Sequence, residues 1–89
     1  ILGAITIHVN IPIPQIQSKR KFKSITLPRQ IVMYLARKFT NLSLQEIGGY
    51  LGGRDHTTVM HANEKIRKLK KTDRNISSTL RKLENELMN

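Results

Sequence analysis

A glycine pair, Gly52-Gly53, set between two helix-start signals constrains this chain more than any other feature. Upstream, Ser43 and Glu46 stand at the S-x-x-E spacing of a capping box, in which each side chain satisfies the other residue's backbone N–H. Downstream, Asp55 is a favoured N-cap residue just before Val59, Ala62, Ile66 and Leu69, which recur at three- and four-residue steps. Glycine is the residue that lets a chain reverse between helices without strain. Two short helices meeting at a glycine turn are therefore predicted, the first burying Leu44, Ile47 and Leu51. Gly48-Gly49 inside it costs roughly 1 kcal/mol per residue relative to alanine, which calls for close backbone packing or a bend there.

Periodicity extends this to an all-α domain. Ile31, Val32, Leu35, Ala36 and Phe39 follow a helical period after Pro28, a residue suited to a first helical position, so a helix is expected to begin after Leu27 with Arg29, Gln30, Arg37 and Lys38 on its other face. A last helix is expected after Asp73 or Asn75, with Ile76, Leu80, Leu83 and Leu87 on one stripe. Residues 1–17 carry no Lys, Arg, Asp or Glu, and Pro12 and Pro14 argue against a regular helix across their second half. The expected organisation is an extended apolar arm or linker over 1–17, packed on some partner surface, and a compact helical domain over 18–89 containing the helix-turn-helix.

Eighty-nine residues suffice for one small core but not for a catalytic cleft plus a cofactor domain. The formal charge of +10 favours a polyanionic partner, nucleic acid or anionic lipid. Without cysteine there is neither a disulfide framework nor a thiolate zinc site. No run approaches the roughly 20 apolar residues that span a bilayer, and the start lacks a signal-peptide n-region, so a soluble protein is expected; a cytoplasmic location is an expectation that rests on other grounds. His56 and His61 are five apart, off the i, i+4 spacing of paired helix ligands, and nothing marks an activated nucleophile, so neither metal, cofactor nor catalysis is expected.

The polar residues at the start of the second helix of the pair suit base reading. In a helix-turn-helix this turn enters the major groove, where side chains must be short and carry donors, acceptors or methyl groups. Asp55, His56, Thr57, Thr58 and His61 meet that need: a threonine methyl meets a thymine methyl, histidine donates to purine N7, and Asp55 accepts from cytosine N4. The plain alternatives are an N-cap role for Asp55, compatible with base contact, and simple solvation of the threonines. Arg54, at the turn, either pairs with a phosphate or turns inward. The cluster Lys19-Arg20-Lys21-Phe22-Lys23 is either a minor-groove arm or a solvated linker, and the basic run from Lys65 to Arg74 reads as a solvated helix face.

The run Gly52-Gly-Arg-Asp-His-Thr-Thr-Val-Met-His-Ala62 resembles the signature of the DNA-binding domain of the bacterial chromosomal replication initiator DnaA. The resemblance extends through Pro28-Arg29-Gln30, Ala36-Arg37, Thr40-Asn41, Ser43-Leu44, Glu46-Ile47-Gly48 and Lys65-Ile66, about residues 18 to 70. It implies binding of duplex DNA at replication-origin boxes similar to TTATNCACA, beside an ATPase domain elsewhere in the full-length protein. By resemblance Asp55, His56, Thr57, Thr58 and His61 contact bases in the major groove, Arg29 reaches bases from the start of the preceding long helix, and Lys21 lies in the minor groove. Gln30, Arg37, Thr40, Leu44, Gln45 and Arg54 correspond to DNA-backbone contacts. The domain by itself is expected to be monomeric.

Three departures stand out. Lys21 occupies a place where the family often has arginine, Gln45 one where proline is frequent, and the proline-interrupted front segment stands where an amphipathic linker helix is usual. No Gly-x-x-x-x-Gly-Lys-Ser/Thr loop is present, so ATP binding is not assigned to these residues. Two other functions fit the same composition: a module for acidic phospholipid surfaces, and a helix-turn-helix transcriptional regulator.

Overall fold

The computed structural model describes residues 13–19 and 22–88. Those residues form five helices: α1 (Ile13–Gln17), α2 (Lys23–Phe39), α3 (Leu44–Tyr50), α4 (His56–Thr72) and α5 (Arg74–Met88). No strand occurs among them. The fold is all-α, as the periodicity predicts.

α4 is the hub. It packs against α2, α3 and α5, and its Val59, Ala62 and Ile66 are buried together with Ile31, Val32, Leu35 and Ala36 of α2, Ile47 of α3, and Ile76, Leu80 and Leu83 of α5. Ile66 and Val59 are both at 0% exposure. Burying one such side chain stabilises by about 1.5–3 kcal/mol. Leu27, Phe39, Leu44, Leu69 and Leu87 close the edges of this core while staying partly exposed. The apolar stripes of α2, α4 and α5 thus coincide with the core-facing sides that their spacing assigns.

Helix starts follow the local chemistry. Ser43 and Glu46 form the full capping box, with Glu46 N donating to Ser43 Oγ at 3.1 Å and Ser43 N donating to Glu46 Oε1 at 3.0 Å. Asp55 caps α4 by accepting from Thr58 N at 3.0 Å. Asp73 caps α5 by accepting from Asn75 N at 2.9 Å and Ile76 N at 3.1 Å. Lys38 at the end of α2 bonds Glu84 of α5, which also lies 3.7 Å from Lys70 of α4, tying three helix ends by surface charge.

Two boundaries differ from expectation, and proline is involved in both. The segment 13–17 is not extended: it is a helical turn with Ile16 at 0% exposure, part of the core. Pro14 is tolerated because the first four N–H groups of a helix have no intrahelical acceptor, so its missing donor removes nothing. The rest of the expected arm, residues 1–12, lies outside the described residues. α2 begins at Lys23 rather than after Leu27, with Pro28 inside it. Pro28 forgoes a bond to Ser24, yet Phe22 O accepts from Ile25 N at 2.9 Å and Thr26 N at 2.8 Å, and Ile25 is buried at 6%. Packing of that first turn overrides the local preference of proline.

The turn between α3 and α4 depends on glycine. Gly52 and Gly53 sit at φ +85° and +75°, a region that side-chain-bearing residues enter with strain. Gly48 answers to a different constraint: Arg54 N donates to Gly48 O at 2.8 Å, and a Cβ on Gly48 would stand 2.0 Å from the Arg54 carbonyl oxygen. Gly49 faces open space. Gly48→Ala is therefore expected to lower stability by about 1–3 kcal/mol through overpacking, whereas Gly49→Ala should raise it by about 0.5–1 kcal/mol through helix propensity. Urea unfolding midpoints of the two variants check the contrast; equal shifts would show that the α3–turn contact does not limit the geometry.

Candidate nucleic-acid interface

The side chains predicted to read bases lie at the exposed start of α4. Asp55, His56, Thr58 and His61 are exposed and Thr57 is half-buried, while Val59 and Ala62 between them face the core. Burial on one side and polarity on the other follow from the period of the helix, so fixing Val59 and Ala62 in the core fixes the outward set. Asp55 has a double character. Its exposed carboxylate accepts from the backbone N–H groups of Thr58 and Thr57, and these bonds hold its pKa below the usual carboxylate range. It is an N-cap whose remaining lone pairs face solvent.

Met60 escaped the sequence reading. It is 45% exposed, one turn beyond His56 on the outward side of α4. Its i+4 spacing from His56 and i+3 spacing from Thr57 carried the signal. It adds an apolar patch of the kind that packs on a thymine methyl.

Two arginines of the expected set are engaged inside the fold. Arg29, expected at a base, is 4% exposed, with Nε donating to Ile16 O at 2.6 Å and Nη2 donating to Ser18 O at 2.8 Å and Gln15 O at 3.4 Å. Burial, and then the neighbouring charge of Arg54, push its pKa below the usual guanidinium value. Arg54, expected at a phosphate unless it turned inward, is turned inward: Nη2 donates to Ser18 O at 2.5 Å, and Nη1 to Leu51 O and, at 3.5 Å, to Gln17 O. The physical reason is shared. α1 is five residues long, so its last carbonyls have no intrahelical donors, and two cations at the negative end of the helix supply them.

The remaining expected contacts within the described residues fall on α2, the segment after it and the start of α3. Arg37 is exposed and donates from Nη1 to Leu42 O at 2.8 Å. Thr40 is half-buried, with Oγ1 donating to Ala36 O at 2.5 Å and accepting from Leu42 N at 3.2 Å. Leu44 and Gln45 occupy the first turn of α3, half-buried and exposed respectively. Gln30 is half-buried with Oε1 enclosed and without a hydrogen-bond partner. Lys21, expected in a minor groove, lies outside the described residues, as does Arg20; Lys19 is exposed. Among the described residues, no group of three or more His, Cys, Asp or Glu stands where it could hold a metal ion, and no helix is long and apolar enough to cross a membrane.

Comparison with known proteins assigns the sequence to a family. The model of the bacterial DnaA protein helix-turn-helix matches residues 1–66. The chain belongs to that family. The chromosomal replication initiator proteins DnaA of Lacticaseibacillus casei (strain BL23) and Lacticaseibacillus paracasei (strain ATCC 334) are each 44% identical to it over 89 residues, 100% of this chain and 20% of theirs. The chain thus spans about one fifth of the length of these curated relatives. The DnaA helix-turn-helix match includes α1, α2, α3 and the first part of α4, so it contains both arginine anchors and the exposed turn.

The two structural findings are separately measurable. Arg29→Ala removes buried charged donors from the carbonyls of Ile16 and Ser18 and should cost on the order of 3 kcal/mol of stability, read from a urea midpoint; a loss under about 0.5 kcal/mol, typical of a surface site, would contradict the burial. The capping carboxylates of Asp55 and Glu46 both have folded-state pKa values lowered by backbone N–H bonds. Their contribution is therefore fully present above the unfolded values of about 3.9 and 4.3 and is lost as pH falls through the lower folded values. Asp55→Asn keeps a cap but removes the titration, so the fall of thermal midpoint below pH 4 should be shallower than in the parent chain.

Proposed function

We propose that this chain binds duplex DNA in a sequence-specific manner, with the first turns of α4 in the major groove, as the DNA-binding domain of a replication initiator. The observation that carries the proposal is the outward set Asp55, His56, Thr57, Thr58 and His61 at the start of a helix held by a glycine turn. Short donors, acceptors and methyl groups on a rigid helix start are what base edges require, and the surrounding cationic surface supplies the sequence-independent attraction.

The target class follows from kinship. The relatives are named chromosomal replication initiator proteins, so the sites proposed are origin boxes similar to TTATNCACA. Lys21 is proposed as a minor-groove cation, and Arg37, Thr40, Leu44 and Gln45 as neighbours of the DNA backbone, with Gln30 contributing if its half-buried amide turns out. Arg29 and Arg54 are left out because their guanidiniums are engaged by carbonyls. An ATPase domain in the rest of the protein and a cytoplasmic, nucleoid-associated location belong to the same proposal. Acidic phospholipid as a partner draws no support from the described helices, whose bulky apolar stripes are buried at Ile66, Leu80 and Leu83.

Fluorescence anisotropy with a duplex holding TTATCCACA and with a scrambled duplex, each at two salt concentrations, tests this. A cognate preference that persists at high salt is expected, because the electrostatic part is common to both duplexes. His56→Ala and Thr57→Ala should each cost about 1–3 kcal/mol on the cognate duplex and much less on the scrambled one. Equal losses on both duplexes would remove these residues from base reading.

A further inference from the structure

A partly enclosed cavity of about 310 Å³ lies where the first turns of α2 meet the end of α4 and the start of α5. It shares no residue with the base-reading set at the start of α4. Lys65, Leu69 and Asp73 follow one another at four-residue steps along one wall, so that wall carries a cation at one end, an apolar centre and a carboxylate at the other. At 1.5 Å of rise per residue the two charged ends are about 12 Å apart at their Cα atoms. Thr26, Leu27 and Gln30 of α2 and Ile76 of α5 complete the lining.

The polar groups around this cavity are short of partners. Thr26 Oγ1 and Gln30 Oε1, one turn apart on α2, are both enclosed and make no hydrogen bond. A buried polar atom without a partner is costly and uncommon in folded proteins. Neither Lys65 nor Asp73 has an ion-pair partner among the described residues. Asp73 caps α5 through Oδ1 alone, which leaves the accepting capacity of Oδ2 unused.

We infer that this cavity binds a short zwitterionic peptide, two or three residues long, with free termini and apolar side chains. An extended chain covers about 3.3–3.6 Å per residue, so two or three residues span about 7–11 Å, and the flexible stem of Lys65 closes the remaining separation. The ammonium then faces Asp73, the carboxylate faces Lys65, and the apolar side chains lie on Leu27, Leu69 and Ile76. The peptide N–H is the donor that Gln30 Oε1 lacks, and the peptide carbonyl is an acceptor for the Thr26 hydroxyl, each side chain turning from its enclosed position to make the bond.

Other ligand classes fit this lining less well. The volume stands at the lower end of small-molecule sites and excludes a folded partner. A nucleotide or an acidic lipid headgroup would bring its excess negative charge to a site with one cation and one carboxylate. A single amino acid carries both charges on one carbon and cannot meet both ends of the wall.

The test titrates the intact chain with alanyl-leucine and follows backbone amide signals by two-dimensional NMR. Saturable shifts around Thr26, Gln30, Leu69, Asp73 and Ile76 are expected, with a dissociation constant of about 0.1–1 mM for so small a ligand. N-acetyl-alanyl-leucine and alanyl-leucine amide, each lacking one charge, should bind about tenfold more weakly. Asp73→Asn retains a good N-cap and removes the charge. It should weaken alanyl-leucine about tenfold while leaving the affinity for the N-acetyl peptide unchanged. Lys65→Gln, at an exposed position, should do the same with respect to the amide. Thr26→Val deletes the unpaired hydroxyl at nearly constant shape and should weaken every peptide several-fold without loosening the fold.

These crossed losses separate direct contact from a structural defect, which would lower affinity for all three peptides alike. Absence of saturable shifts, or shifts scattered over the basic surface, would overturn the inference. Equal affinities for the charged and blocked peptides would also overturn it, as would Asp73→Asn and Lys65→Gln that leave the ratios unmoved. DNA binding is measured on the same chain with a different ligand, so its success or failure is distinguishable from that of the peptide site.

Discussion

The carbonyls at the end of α1, which the helix itself leaves without donors and two arginines supply, are the constraint around which the rest of the molecule is arranged. A helix of five residues cannot satisfy its own last carbonyls and is far below the length at which helix formation is favourable alone. It persists because Ile16 is locked in the core and because Arg29 and Arg54 donate to Gln15, Ile16, Gln17 and Ser18. Those two arginines belong to α2 and to the α3–α4 turn. One set of hydrogen bonds therefore fixes the entry of the chain, the long helix and the turn before α4 relative to one another. Charged donors make such bonds roughly twice as strong as neutral ones, and burial of the Arg29 Nε–Ile16 O bond keeps it from being exchanged for water.

From that junction the division of labour along α4 follows. Its inner face is the centre of the core, with contacts to α2, α3 and α5, so the helix cannot rotate without exposing Val59, Ala62 and Ile66. The outer face of its first turns is then held at a defined angle with no contribution from its own side chains. Asp55 bonds the helix backbone, and His56, Thr58, Met60 and His61 remain free of core duties. Stability and recognition are thereby separated on one element. The rigid scaffold is apolar, and the outward surface of the first turns carries short polar side chains beside Met60. Precise presentation of donors and acceptors matters in the major groove because a bidentate or directional contact tolerates little displacement.

How much of this was legible in the sequence depended on the range of the interactions. The capping box of Ser43 and Glu46, the Asp55 cap and the apolar stripe of α4 are local, involving residues three or four apart, and sequence spacing reads them directly. The glycine pair was likewise legible, because positive φ is a property of the residue itself. What failed to show was nonlocal. Arg29 looks like any basic residue on a helix face, and its burial depends on carbonyls 11 to 14 residues upstream. The same holds for Gly48, whose missing side chain matters only because Arg54 O folds back onto it. Pro14 and Pro28 misled the placement of helix boundaries for a related reason: the local penalty of proline was read correctly, but the packing of Ile16 and Ile25 that outweighs it was invisible without the fold.

The arginines also bear on how kinship should be converted into residue roles. A basic residue beside a recognition motif invites assignment to phosphate or base, since in a chain of net charge +10 the long-range field favours that partner. Yet charge reaches a ligand at short range only if its donors are free. The guanidiniums of Arg29 and Arg54 meet carbonyl acceptors within the fold, and freeing Arg29 would take the guanidinium donor from Ile16 O, while freeing Arg54 would take it from Leu51 O and Gln17 O. Any gain from a phosphate contact would have to exceed that loss. Lysines and arginines on exposed faces, such as Lys65, Lys68 and Lys71, have no comparable internal bond to give up and carry the electrostatic attraction at lower cost. Matching a motif thus identifies which residues a family keeps together, while the hydrogen-bond inventory decides which of them face outward and which hold the outward ones in place.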